Sequence, residues 1–390
     1  MPEEKATFLI ANLPYTANIA DEEVWRFVQR KVDRDFPWLL PNGYWVTLSG
    51  VGRSWRGVRR RGSVVSHARW AGTGWIPLDM VLAWITHFGD AMRASRHGRV
   101  VGIAPTPESG LGIALARSLH GDKVRLIVRV IGHAAIKALL VHRSKLGFML
   151  FDQIESFVLR RADLVVPMGR FTKELAIRKG ANPDRVIILP FPVRWADSAS
   201  VAPFQSQPCV LFVGRLEKEK GVHVLLEAMC QVQEAIPSVR LLVAGDGSYR
   251  KELEVKVDRL GLRSHVSFLG WIEAADLRSA YREAWVLVLP SILEEGLGMV
   301  LVEAGLMGRP VIGSDLGGIR DIIQHGHNGL LVPPGNSKAL AEAILTILTN
   351  RNLAQQMGLA NLEIARKYLS QRNEALEQVH RAILDLVEKQ

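Results

Sequence analysis

Two glutamates, Glu295 and Glu303, stand eight residues apart around a Gly-Leu-Gly in the stretch 291–304, SILEEGLGMVLVEA. An apolar run, WVLVL at 285–289, precedes it and reads as a buried parallel strand closed by Pro290. After the glycines, residues 299–307 are mostly apolar helix formers. The segment is therefore strand, glycine-bearing loop, helix. Such a loop leaves unpaired N–H groups of residues 296–300 at a helix N-terminus, which is a ready anion site. Eight residues make about 2.2 helical turns, so the two carboxylates fall roughly on one face. They could grip hydroxyl groups on either side of a bound phosphate. In isolation the same spacing is more often a pair of solvated helix charges, so the surroundings must decide.

Upstream, VLFV at 210–213 runs into GRLEKEKG at 214–221, which places Arg215 and Lys220 at a strand-to-helix turn where a phosphate would lie. LLVAGDG at 241–247 and VSFLGW at 266–271 are two further strands that end in or beside glycines. Helical stretches alternate with these strands, so their C-terminal ends should line one crevice.

From residue 210 to about 343 the chain resembles the donor-binding domain of the retaining GT-B glycosyltransferases of family 4, the glycosyl transferases group 1. The pieces that carry the resemblance are FVGRLEKEKG, LLVAGDG, VSFLGWI, the 281–289 segment, PSILEEGLGMVLVEA, GRPVIGSDLGGIRDII and NGLLVPPG, in the family's order and spacing. The resemblance implies an α/β chain of GT-B fold: two Rossmann-like domains with a cleft between them and a C-terminal helix crossing back. Residues 1–196 would form an acceptor-binding domain, joined by about 370–390 as the crossing helix, and 208–369 the nucleotide-sugar donor domain. The polar, proline-bearing stretch DSASVAPFQSQP between them reads as a linker. In the first part, 8–13, 100–104 and 126–131 are strand candidates and 108–120 and 148–161 helices. Residues 362–387 carry apolar residues at helical spacing.

The implied chemistry is transfer of a sugar, hexosyltransferase in type, from a nucleoside-diphosphate sugar, which is a co-substrate; no cofactor is expected. Arg215 and Lys220 would neutralise the departing diphosphate, aided by the amides of Gly296, Leu297, Gly298, Met299 and Val300. By resemblance Glu295 contacts hydroxyls of the donor sugar and Glu303 the ribose hydroxyls. The base would sit near Gly270, Trp271 and Ile272, although Trp271 could equally be a core aromatic. Gly245 and Gly247 would let the backbone approach the cleft, or could serve only a turn, and Gly214 counts among the donor-binding residues. His133, after the strand candidate 126–131, would orient the donor sugar, or be a structural loop histidine. A retaining enzyme without a placed nucleophile is thought to use same-face attack, the leaving phosphate taking the acceptor proton. No metal is expected. Relatives of another fold use Asp-x-Asp, but Asp33-Arg34-Asp35 here does not trail a buried strand and reads as a solvated helix end.

The acceptor half departs from the family. Asn12 to Asn18 replace the usual glycine-glycine loop, Phe191-Pro192-Val193 replace the common asparagine-glycine, and residues 105–110 form another loop facing the cleft. Charge also divides. The whole chain is +10; residues 1–200 hold 29 basic and 17 acidic residues, which leaves the remainder slightly acidic. The excess gathers at Arg53, Arg56, Arg59, Arg60 and Arg61, with Trp55 among them. This patch suits an anionic membrane surface or an anionic polymer, and is otherwise ordinary solvated surface. Five arginines near an anionic bilayer could supply up to roughly 5 kcal/mol. No nucleic-acid module accompanies them, so nucleic acid is not an expected partner. Two cysteines without ligand spacing fit a reducing compartment. No signal-peptide pattern and no apolar run of about 18 residues are seen. The expectation is a cytoplasmic enzyme, peripheral on the membrane face, with a glycan or lipid-linked acceptor. A soluble enzyme with a small acceptor and a catalytically silent GT-B binding subunit are the alternatives.

Overall fold

The structure, a computed structural model, describes residues 7–11, 46–52, 57–61, 64–71, 76–132, 145–196, 201 and 203–388. The chain divides into two compact units, Met1–Pro190 with Asn373–Gln390, and Phe191–Arg372. Residues 191–196, read above as the end of the first domain, therefore count with the second unit.

In the first unit the described strands are β1 (Thr7–Ala11), β2 (Val46–Gly52), β3 (Gly57–Arg61), β4 (Val64–Ala71), β5 (Val100–Ala104), β6 (Val124–Val130) and β7 (Leu164–Pro167). They form one sheet of order β3-β4-β2-β1-β5-β6-β7. Every pairing is parallel except the edge pair β3–β4. Helices α1 (Ile76–Ala94), α2 (Leu111–His120), α3 (Lys145–Arg161) and α4 (Arg170–Arg178) connect or follow them. All five residues of β5, VVGIA, are buried, as expected of a strand covered on both faces.

The second unit is built on β8 (Cys209–Val213), β9 (Arg240–Ala244), β10 (Val266–Gly270), β11 (Val286–Leu289), β12 (Val311–Ser314) and β13 (Gly329–Val332). These pair in parallel in the order β10-β9-β8-β11-β12-β13. The helices are α5 (Val222–Ala235), α6 (Arg250–Arg259), α7 (Ala274–Glu283), α8 (Met299–Leu306), α9 (Ile319–Ile322), α10 (Ser337–Leu348) and α11 (Arg351–Glu388). The chain leaves β8 toward β9 and β10 on one side, then returns to build β11 to β13 on the other. That reversal puts the topological switch point between β8 and β11, where open α/β sheets hold their ligands.

Helix α11 serves both units. Early in it, Asn361 donates to the carbonyls of Leu301 and Arg309 and accepts from Asn328, all inside the second unit. Near its end, Val379 and Ile383 are buried against Val101, Ile103, Ile127, Leu164 and Val166 of the first unit's sheet. Arg99 donates to the Val387 carbonyl there at 2.9 Å. Among the described residues no helix is long and apolar enough to cross a membrane.

Candidate functional site

At the switch point two loops are locked together by their backbones. After β8 the chain passes Gly214 and Arg215, makes a short 3-10 turn at Lys218–Lys220, and enters α5 through Gly221. After β11 it passes Pro290 and Ser291 and reaches α8 through Gly298. The Ile292 N–H donates to the Glu219 carbonyl at 2.9 Å, tying one loop to the other. Gly221 has φ 71°, and a Cβ there would lie 1.9 Å from the Pro290 carbonyl oxygen. Only glycine satisfies both demands.

This closeness brings Lys220 onto Glu295: Nζ lies 2.5 Å from Oε1, with about a sixth to a fifth of each side chain exposed. The Ser291 hydroxyl, itself buried, donates to the same Oε1 at 2.6 Å. The carbonyl of Glu295 accepts from the Gly318 N–H at 2.8 Å, which anchors the loop to the turn after β12. Leu297 is buried, while Gly298, at φ 75°, stands left-handed before the first turn of α8 at Met299 and Val300. Arg215 is different: its side chain is 60 % exposed and it pairs loosely with Glu219 at 3.9 Å. An exposed guanidinium of that kind can turn to an incoming phosphate at little cost.

Glu303 lies within α8 and is buried. The buried Tyr281 hydroxyl donates to its Oε2 at 2.8 Å, and Arg194 Nε stands 3.9 Å from its Oε1. Burial pushes the Glu303 carboxyl above its ordinary pKa, while Arg194 and the Tyr281 hydrogen bond act in the opposite direction. The Tyr281 phenol is itself held far above its usual pKa by burial and by the Glu303 charge. The two glutamates thus have separate partners. Helical phase does not run between them, because the left-handed Gly298 interrupts it before α8 begins. Arg309 fastens the end of α7 that carries Tyr281. It is fully buried, donates to the carbonyls of Tyr281 (3.1 Å) and Arg282 (2.6 Å), and stacks over Phe204 at 4.6 Å. Burial brings its pKa down to about 10.

On the other side of β8, the Gly214 N–H donates to Ala244 and the Gly245 N–H to Gly270, so three strand ends close on one another. Trp271, after β10, is 74 % exposed, which removes the core-aromatic reading. It stands beside Ile272 where a planar base could lie. His133, Arg53, Trp55 and Arg56 lie outside the described residues, as do Asp33 to Asp35. Arg59, Arg60 and Arg61 lie in β3, the edge strand of the first sheet, rather than in a loop. Ser291, Tyr281 and Arg194 were not singled out from the sequence. Among the described residues no group of three His, Cys, Asp or Glu could hold a metal ion.

Residues 193–362 match the family described as Glycosyl transferases group 1. The phosphatidyl-myo-inositol mannosyltransferase of Mycobacterium leprae is 41 % identical over 160 residues, 41 % of this chain and 42 % of its own length. The alpha-D-kanosaminyltransferase of Streptomyces kanamyceticus is 33 % identical over 179 residues, 45 % of this chain and 46 % of its own. The chain thus spans under half the length of these curated relatives. Anabaena HepE, solved in complex with UDP, superposes with a TM-score of 0.68 at 20 % identity, over 96 % of this chain and 99 % of that one. At that identity the likeness establishes the fold, which is GT-B: two Rossmann-like units and a C-terminal helix.

Proposed function

We propose that the chain is a retaining, metal-independent glycosyltransferase that moves a sugar from a nucleoside-diphosphate sugar to a lipid-linked or membrane-proximal glycan. The observation that carries this reading is the Lys220–Glu295–Ser291 cluster at the β8/β11 switch point, beside the N-terminus of α8. The diphosphate would lie over the α8 amides, with Lys220 beside it and Arg215 turning in from solvent. Each charge-assisted contact contributes roughly 1.5–3 kcal/mol as negative charge develops on the leaving group. These cations take the part a metal plays elsewhere. Glu295, fixed by Lys220 and Ser291, would accept hydroxyl groups of the sugar, and Glu303 those of the ribose. Trp271 would offer its exposed face to the base, and His133 would orient the sugar.

In the reaction the bond from the sugar's anomeric carbon to the β-phosphate oxygen breaks. A bond from that carbon to the acceptor oxygen forms on the same face. The acceptor's proton passes to the departing phosphate oxygen, so no protein base is needed.

The lipid-type acceptor is supported by the mycobacterial relative, whose name specifies phosphatidyl-myo-inositol, and by the arginines of β3. A small-molecule acceptor is the second reading, favoured by the kanosaminyltransferase match, whose name carries no lipid. Transfer assays with a panel of lipid-linked and small acceptors, with and without EDTA, test the proposal. The expected product keeps the donor's anomeric configuration by NMR and forms at an EDTA-insensitive rate. An inverted product, or a rate abolished by EDTA, would contradict it.

A further inference from the structure

The geometry points to Arg194 as a positioning residue for the nucleotide's ribose, holding Glu303 Oε1 toward the diol while Tyr281 occupies Oε2. This rests on the donor reading of Glu303 given above. An ionised carboxylate only accepts, so with Tyr281 on Oε2 its Oε1 stays open to the diol, whereas protonation would turn one oxygen into a donor; Glu303 is buried. Something must keep it charged and leave one oxygen available. Tyr281 takes Oε2 at 2.8 Å. Arg194 Nε stands 3.9 Å from Oε1, too far for a hydrogen bond; Glu303 is buried while the Arg194 side chain is half exposed, so the attraction is partly screened yet still favours the charged carboxylate. Oε1 therefore feels a cation without spending its acceptor positions on it.

The backbone around Arg194 is fastened on both sides. The Phe191 carbonyl accepts from the Tyr368 hydroxyl at 3.1 Å. The Trp195 ring meets the Tyr281 ring edge-on, with centroids 5.8 Å apart. Trp195 is the one non-glycine residue with positive φ, 57°, among those described. An aromatic residue adopts that conformation only where its surroundings impose it, and here its neighbours aim Arg194 at Glu303. Around Glu303, α7 presents Tyr281, the 191–196 segment presents Arg194, and α8 carries no other titratable side chain. From α11, Tyr368 donates to Phe191 and Met299, with Arg372 next to it.

The sign of the effect follows. Ribose binding needs ionised Glu303, so it is lost as pH falls through that group's pKa. Burial raises that pKa and Arg194 lowers it; without Arg194 the loss must begin at higher pH. Calorimetric titration of UDP, GDP and ADP between about pH 5 and 8.5 tests this on the wild type, Arg194→Met and Arg194→Lys. The diphosphate's own titration is common to all three proteins and cancels in the comparison. For Arg194→Met the acid limb should move to higher pH, so that affinity falls more at the acid end of the range than at pH 8.5, where little change is expected. Arg194→Lys should restore most of the wild-type profile. Parallel profiles, or an equal loss at every pH in both variants, would overturn the assignment while leaving the donor site standing. A wild type that binds none of the three nucleotides at any pH would overturn the donor reading and this one together.

Discussion

Lys220 and Glu295 carry the reading at the scale of single residues, because their contact serves chemistry more than stability. With each side chain at most a fifth exposed, the attraction of this pair is offset by the cost of desolvating both charges, whereas a cation beside a departing diphosphate acts where charge develops. Lys220→Ala is therefore expected to lower transfer by at least one to two powers of ten, while the chain stays folded with a modest fall in melting temperature, because Glu295 keeps only its Ser291 hydrogen bond. Steady-state kinetics beside a thermal melt checks this, and full activity in the variant would contradict the diphosphate assignment. The placement of Arg215, Lys220 and Glu295 in loops after strands, and of Glu303 in the helix that follows, was legible in the sequence because each sits in a short motif. Their supports were not. Tyr281 reaches Glu303 from another helix, and Arg194 from before the linker. No local pattern announces either contact, since each depends on how α7 and the 191–196 segment pack against α8.

At the scale of elements, the β8 and β11 loops must touch for the site to exist, and Gly221 is where they touch. Gly221→Ala would force a left-handed conformation on alanine and drive its Cβ into the Pro290 carbonyl. Gly261, at φ 69°, has nothing within 4 Å of where its Cβ would be. Gly261→Ala therefore bears the conformational cost alone, about 1 kcal/mol or slightly more. Gly221→Ala should lose clearly more stability in urea unfolding, and nucleotide affinity with it, as Lys220 is pushed from Glu295. Equal losses in the two variants would contradict the backbone-contact account. Four strands of the second unit, β8 to β11, were readable because buried parallel strands are near-continuous apolar runs, as CVLFV and VLVL show, whereas the short VIGS and GLLV of β12 and β13 were not read as strands. The strands β2, β3 and β4 were not read at all. VTLSGVG, GVRRR and VVSHARWA interleave glycine, serine and arginine with their apolar residues, so neither period stands out.

At the scale of the whole molecule, the net charge of +10 is carried by the first half of the chain, and part of it lies on the edge strand β3. Charged residues on an edge strand also discourage pairing between sheets, so the arginines have two roles to separate. Replacing Arg59, Arg60 and Arg61 with glutamate is expected to weaken binding to anionic vesicles and to flatten its dependence on salt, without altering donor hydrolysis. Flotation assays would show it, and unchanged vesicle binding would leave the arginines as edge protection. The two-unit α/β architecture and the return of the last helix followed from the family resemblance carried by the motifs, while helical spacing gave only that the last segment is a helix. The make-up of the acceptor half was not, because its loops carry no pattern that specifies a ligand. The central claim is a nucleotide-sugar site built on protein cations in the second unit. It is tested most directly by a thermal-shift panel of UDP-, GDP- and ADP-linked sugars on the full chain, with and without EDTA. A rise of several degrees with one nucleotide class, unchanged by EDTA, is the expected result; no shift with any of them, or a shift that EDTA abolishes, would contradict the account.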